Sequence, residues 1–158
     1  MIKILKKIPG VSIIADSISS FIVIIKYTVG INTFIEDERA DPDDPKWDDN
    51  PWKKVFVQRC NYALSFSNGK RVLDLCCGTG WTANELSKVA VSVKAVDYSK
   101  ESIENAKKRF PRGNLLFQEM NALALSYKED SFDTVVSMEA IEHFSQQDGE
   151  RFVSEVFR

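Results

Sequence analysis

The stretch Val72-Leu73-Asp74-Leu75-Cys76-Cys77-Gly78-Thr79-Gly80 constrains this chain more than any other. An apolar run delivers an aspartate near its end, and small residues with two glycines follow. That is the composition of a buried strand entering a tight turn, where glycine lets the backbone bend and approach a ligand. A helix beginning directly after the turn presents its free N–H groups to the same place. The next apolar run ends in Val96-Asp97-Tyr98, an acid placed to accept hydrogen bonds from ribose hydroxyls. A dinucleotide fingerprint wants a third glycine, but Ala83 stands there. A Walker loop wants Gly-Lys-Ser/Thr, but Trp81 follows Gly80.

Around this motif, strand and helix patterns alternate. Asn50-Pro51 reads as a helix cap and first position, with the helix running to about residue 66. Strands are predicted over 71–75, 93–97, 115–119 and 132–138, and helices over 81–89, 99–109 and 146–158. Such alternation implies an α/β fold, a Rossmann-like doubly wound parallel sheet covered on both faces. Ligands of such sheets bind beyond the carboxyl ends of the strands, where strand order reverses.

Over about residues 55–158 the chain resembles the class I S-adenosylmethionine-dependent methyltransferases, of the small-molecule type. Four segments carry the resemblance: Val72 to Gly80, Val93 to Ser99, Glu119-Met120-Asn121-Ala122, and Ser131 to Val136 with Met138 to Phe144. The resemblance implies S-adenosyl-L-methionine as cofactor. It implies that Asp74 orients the methionine amino group, along which the backbone of Cys76, Gly78 and Gly80 passes. Asp97 would hold the ribose and Tyr98 would pack near the adenine. Asn121 would contact the adenine amino group, Ala122 would supply a backbone N–H, and Met138 would complete the pocket. Cys76 departs from the family's more usual glycine, and Asn121 from its aspartate. The family's sheet order is 3-2-1-4-5-7-6. The chain supplies strands 1 to 4 in the order 3-2-1-4, a C-terminally truncated domain whose fourth strand has an open edge that invites self-association.

Past the fourth strand lies Met138-Glu139-Ala140-Ile141-Glu142-His143. Glu139, Glu142 and His143 can simply shape the loop. Alternatively His143, with Glu142 beside it, acts as general base for a hydroxyl acceptor, since imidazole titrates near neutral pH. The Glu-x-x-Glu-His string is also similar to one linked to a divalent metal in quinone-biosynthesis O-methyltransferases. The site as read assigns no metal.

The rest of the chain bounds the function class. With 21 Lys+Arg against 23 Asp+Glu, it lacks the basic footprint of a nucleic-acid binder. Three cysteines, two of them adjacent, make no disulfide framework and suit a reducing, cytoplasmic setting. Residues 1–49 read as a separate extension ahead of a methyltransferase domain over 50–158. Beyond Pro9-Gly10, Val11, Ile14, Ile18, Phe21, Ile22, Ile25 and Val29 share one side of a helix. That helix either packs on the domain or, with its flanking lysines, gives residues 1–31 a peripheral membrane contact. Residues 36–49, with eight acids and two bases, read as a solvated linker. The leading expectation is methyl transfer to a small, hydrophobic acceptor. The alternative is a nonenzymatic binding or scaffold module on the same fold.

Overall fold

The computed structural model describes residues 3–5, 11–17 and 20–25 as strands, and residues 39–158 in full. The strands are β1 (Lys3–Leu5), β2 (Val11–Ser17), β3 (Ser20–Ile25), β4 (Arg71–Leu75), β5 (Ser92–Asp97), β6 (Leu115–Glu119) and β7 (Thr134–Met138). The helices are α1 (Trp52–Ser67), α2 (Trp81–Ser87), α3 (Lys100–Arg109) and α4 (Gln146–Phe157), with short 3-10 turns at Pro45–Trp47 and Ile141–His143.

The expected sheet is present. β6, β5, β4 and β7 are adjacent and parallel, the order 3-2-1-4 counted from the glycine motif onward. Helix starts follow local chemistry. The Asn50 Oδ1 accepts from the Trp52 N–H at 2.9 Å, Ser99 Oγ from Ser102 N–H at 3.3 Å, and Ser145 Oγ from Asp148 N–H at 3.1 Å. Lys107, Lys108 and Arg109 end α3 where its dipole favours cations. One core joins α1, α2 and α3 to one sheet face through Phe56, Ala63, Leu86 and Ile103. The other joins α4 to the opposite face through Leu73, Val96, Phe152 and Val156.

Two expectations are corrected. The N-terminal helical extension predicted over 11–29 is absent where the chain is described: β2 and β3 pair antiparallel, and β1 adds to β2. Val11, Ile13, Ile14, Ile22, Val23, Ile24 and Ile25 are β-branched, which favours extended backbone, and the same spacing that imitates a helical stripe hides that preference. The membrane-surface reading rested on that helix. The edge of β7 is not open either. β3 pairs with it in parallel from Phe21↔Thr134 to Ile25↔Met138, so the edge expected to drive self-association is occupied. The Pro9-Gly10 break, Ile18, and residues 26–38, which include Val29 and the start of the acidic run, lie outside the described residues. Among the described residues no helix is long and apolar enough to cross a membrane.

Candidate functional site

The carboxyl ends of β4, β5 and β7 open onto a cleft of about 670 Å³, on the line where strand order reverses between β4 and β7. One wall is the glycine loop. The Cys77 N–H donates to the Val96 carbonyl at 2.9 Å and the Gly80 N–H to the Cys77 carbonyl at 2.9 Å, folding the loop onto β5. Gly78 and Gly80 take left-handed backbone, φ 53° and 79°. A Cβ on Gly80 would come within 2.7 Å of the Phe117 ring and 2.8 Å of the Ala106 Cβ, so this glycine also lets α3 and β6 close on the loop. Cys76 has φ 62°, a conformation that costs a non-glycine residue. Burial, then Asp97 and Asp74, pushes its thiol up to about 12, so it is protonated at neutral pH and no nucleophile.

Two acids lie at this wall, and their bonding differs. Asp97 is fully engaged: Oδ2 accepts from the Gly78 N–H and Oδ1 from the Ser99 N–H, each at 2.9 Å. Each oxygen keeps a further lone pair for an outside donor. Asp74 is 2% exposed and its Oδ2 is buried with no hydrogen-bond partner among the described residues. Burial first, then the charge of Asp97, raises its carboxyl to about 7.

The opposite wall is 138–144. Glu139 has φ 52° and its carboxylate is ion-paired with Arg59, reaching in from α1. Burial raises the Glu139 carboxyl to about 7, Arg59 opposes that rise, and the charge and hydrogen bond of Glu142 add to it. His143 is exposed at the cleft edge, its N–H donating to the Ala140 carbonyl at 3.1 Å. Phe56, Met138 and Phe144 supply apolar surface.

The cleft therefore brings together Asp74, Cys76, Gly78, Asp97, Tyr98, Met138 and His143. Gly80 closes the loop behind it. Glu142 reaches it through Glu139. Asn121 and Ala122 stand outside its lining: the Asn121 Oδ1 accepts from the Leu123 N–H at 2.9 Å, and Ala122 is buried against the α4 core. Tyr98 is 79% exposed. Among the described residues no three His, Cys, Asp or Glu side chains come together as a metal site.

Sequence reasoning missed Arg59, Arg39 and Ala40. Arg59 carried a signal. It falls three after Phe56 and four before Ala63, on the stripe α1 buries, where an arginine requires a partner. Arg39 and Ala40 carried none, because a charged run reads as solvated.

What the cleft can hold follows from its donors. It suits a ligand that offers a cation or N–H groups to Asp74 and hydroxyls to Asp97, with an apolar portion toward Met138 and Phe56. Fold and site together define a doubly wound α/β protein with a small-molecule cleft at its switch point. A family model described as a methyltransferase domain matches residues 72–158, and the chain belongs to that family. It is 34% identical over 114 residues to a Mycolicibacterium smegmatis protein named "Probable S-adenosylmethionine-dependent methyltransferase", covering 70% of this chain and 42% of that one. It is 41% identical over 90 residues to the demethylmenaquinone methyltransferase of Lactococcus lactis, covering 53% of this chain and 34% of that one. The chain thus spans less than half the length of these curated relatives. In fold it is similar to the N-methyltransferase NodS of Bradyrhizobium japonicum WM9, solved with S-adenosyl-L-homocysteine, at a TM-score of 0.64 and 19% identity over 78% of this chain and 65% of that one.

Proposed function

We propose that this chain binds S-adenosyl-L-methionine and serves methyl transfer to a small, largely apolar acceptor. One observation carries the reading: a fully buried carboxyl oxygen on Asp74, without a partner among the described residues, at a cleft whose other acid is already oriented by the glycine loop. An unpaired buried acceptor is costly and rare, and a ligand ammonium group would resolve it. Asp97 would take the ribose hydroxyls and Tyr98 would cover the adenine. Asn121 and Ala122 would reach the adenine edge from beside β5, where the Met120 N–H already donates to the Asp97 carbonyl at 2.9 Å.

When bound, the cofactor supplies a methyl group already activated on a sulfonium. What remains for the protein is alignment, exclusion of water and management of one proton. Met138, Phe56 and Phe144 supply dry surface for the acceptor. His143 would take the acceptor's proton, and Glu142 would act through its hydrogen bond to Glu139. Relatives named for quinones, such as demethylmenaquinone methyltransferase and 2-phytyl-1,4-naphtoquinone methyltransferase, support an acceptor of this apolar kind.

Calorimetric titration of the full chain with S-adenosyl-L-homocysteine tests the reading, and saturable one-to-one binding is expected. A folded sample with no detectable heat or shift in melting temperature overturns it. A second reading, a nonenzymatic module, is favoured by Asn121, whose amide oxygen serves its own turn. Methyl transfer by the purified chain to any acceptor would exclude it.

A further inference from the structure

The acidic segment that reads as a solvated linker is tied down where it is described. Arg39 and Ala40 line the cleft. The Ala40 carbonyl accepts from Thr79 Oγ1 at 3.0 Å, a bond to the glycine loop itself. Asp41, 9% exposed, is gripped by both ends of the Arg109 guanidinium, with Nη2 to Oδ1 at 3.0 Å and Nη1 to Oδ2 also in contact. Asp43 Oδ2 lies 3.9 Å from the same guanidinium. Asp44 caps the following 3-10 turn, whose Trp47 meets the Phe56 ring edge-on at 6.0 Å.

These anchors are not scattered over the surface. Thr79 belongs to the loop that forms one wall, and Arg109 ends the helix that follows Asp97. A tether needed only to park a linker has no reason to bury an aspartate against the elements that make the cleft. Asp41 and Arg109 themselves do not line it, so their effect on a ligand runs through residues 39–44.

We propose that Asp41 and Arg109 form a latch that holds residues 39–44 as a movable wall of the cleft, so that opening of the latch sets how fast bound ligand leaves. This rests on the reading of the cleft as an S-adenosyl site. Arg and Asp are positioning residues here. A bidentate, partly buried pair is stronger than a surface pair, yet the Arg109 side chain is 37% exposed, so the latch opens on thermal fluctuation and is weakened by salt.

The test is the release rate of S-adenosyl-L-homocysteine from the full chain, by stopped-flow displacement. Arg109→Ala should release about tenfold faster, Arg109→Lys should fall between, and the charge-reversed pair Asp41→Arg with Arg109→Asp should recover most of the loss. Release from the wild type should quicken with added salt, and from Arg109→Ala much less. A readout that needs no ligand is trypsin cleavage after Arg39 and Lys46, which should be faster in Arg109→Ala at unchanged melting temperature. Unchanged cleavage in Arg109→Ala overturns the latch. Faster cleavage with wild-type release overturns its control of the ligand. A wild-type chain that binds no S-adenosyl-L-homocysteine overturns the site reading and, with it, the gating role.

Discussion

The two walls of the cleft each hold one carboxyl group raised to about 7, and they do so in different ways. Asp74, at the glycine-loop wall, is raised by burial and by Asp97, and no cation among the described residues offsets that rise. Glu139, at the opposite wall, is raised by burial and by Glu142, but Arg59 already opposes the rise. Among the described residues, one acid lacks a counter-charge and the other has its own. An incomplete group marks where a ligand must supply charge. A completed one marks where the protein has fixed its own shape.

The sharpest way to break this contrast is to remove each charge and measure S-adenosyl-L-homocysteine affinity. Asp74→Asn should weaken binding about 30- to 100-fold, the scale of one charge-assisted hydrogen bond in a dry site. Glu139→Gln should change it less than about threefold. The pH dependence follows with a definite sign. A ligand ammonium prefers ionised Asp74, so affinity should rise as pH climbs through about 7. Without ligand, both acids bind protons more tightly folded than unfolded. Their contribution to stability is full below the ordinary carboxylate range and is lost as pH rises toward 7. Equal affinities for the two variants, or binding flat from pH 5.5 to 8.5, would erase the distinction between the walls.

That distinction also explains what could be read in advance. Asp74, Gly78, Asp97 and Met138 were legible because strand ends and the turn between them are local in sequence. The parallel pairing of β4 to β7 followed from alternation, and their order from the family resemblance. The partners of Arg59 and Asp41 were not legible, because each lies far along the chain, at Glu139 and Arg109. The placement of β3 was hidden for the same reason. Its register is set by the free edge of β7, more than a hundred residues away, and isolated periodicity cannot see that edge. The local bond of Asn121 was not legible either: outside the cleft lining its amide oxygen closes its own turn, as asparagine commonly does.

A middle-sized effect sharpens the second wall. Arg59→Met keeps the packing of a long side chain and removes the charge from Glu139, whose own side chain is 27% exposed. Chemical denaturation should show a loss of about 1–3 kcal/mol at pH 8, because ionised Glu139 is left unpaired. At pH 5 the loss should shrink, since Glu139 is then protonated in both proteins. A loss independent of pH would mean that Arg59 acts through packing and that the second wall is not electrostatically closed.

The smallest effect compares the walls through backbone alone. Cys76 and Glu139 both hold left-handed backbone, φ 62° and 52°, which glycine adopts without the ~1–2 kcal/mol steric cost. Glycine gives back roughly 0.5–1 kcal/mol through the freedom of its unfolded chain. Cys76→Gly should therefore raise stability slightly, by up to about 1 kcal/mol, the difference between the relieved strain and the unfolded-chain freedom. Glu139→Gly relieves the same strain but removes the carboxylate that pairs with Arg59, so it should lower stability despite a better backbone. Opposite signs in thermal denaturation would show that strain at the first wall is tolerated for ligand access, while strain at the second is held by an ion pair. Like signs would mean that the two left-handed residues are set by loop geometry alone.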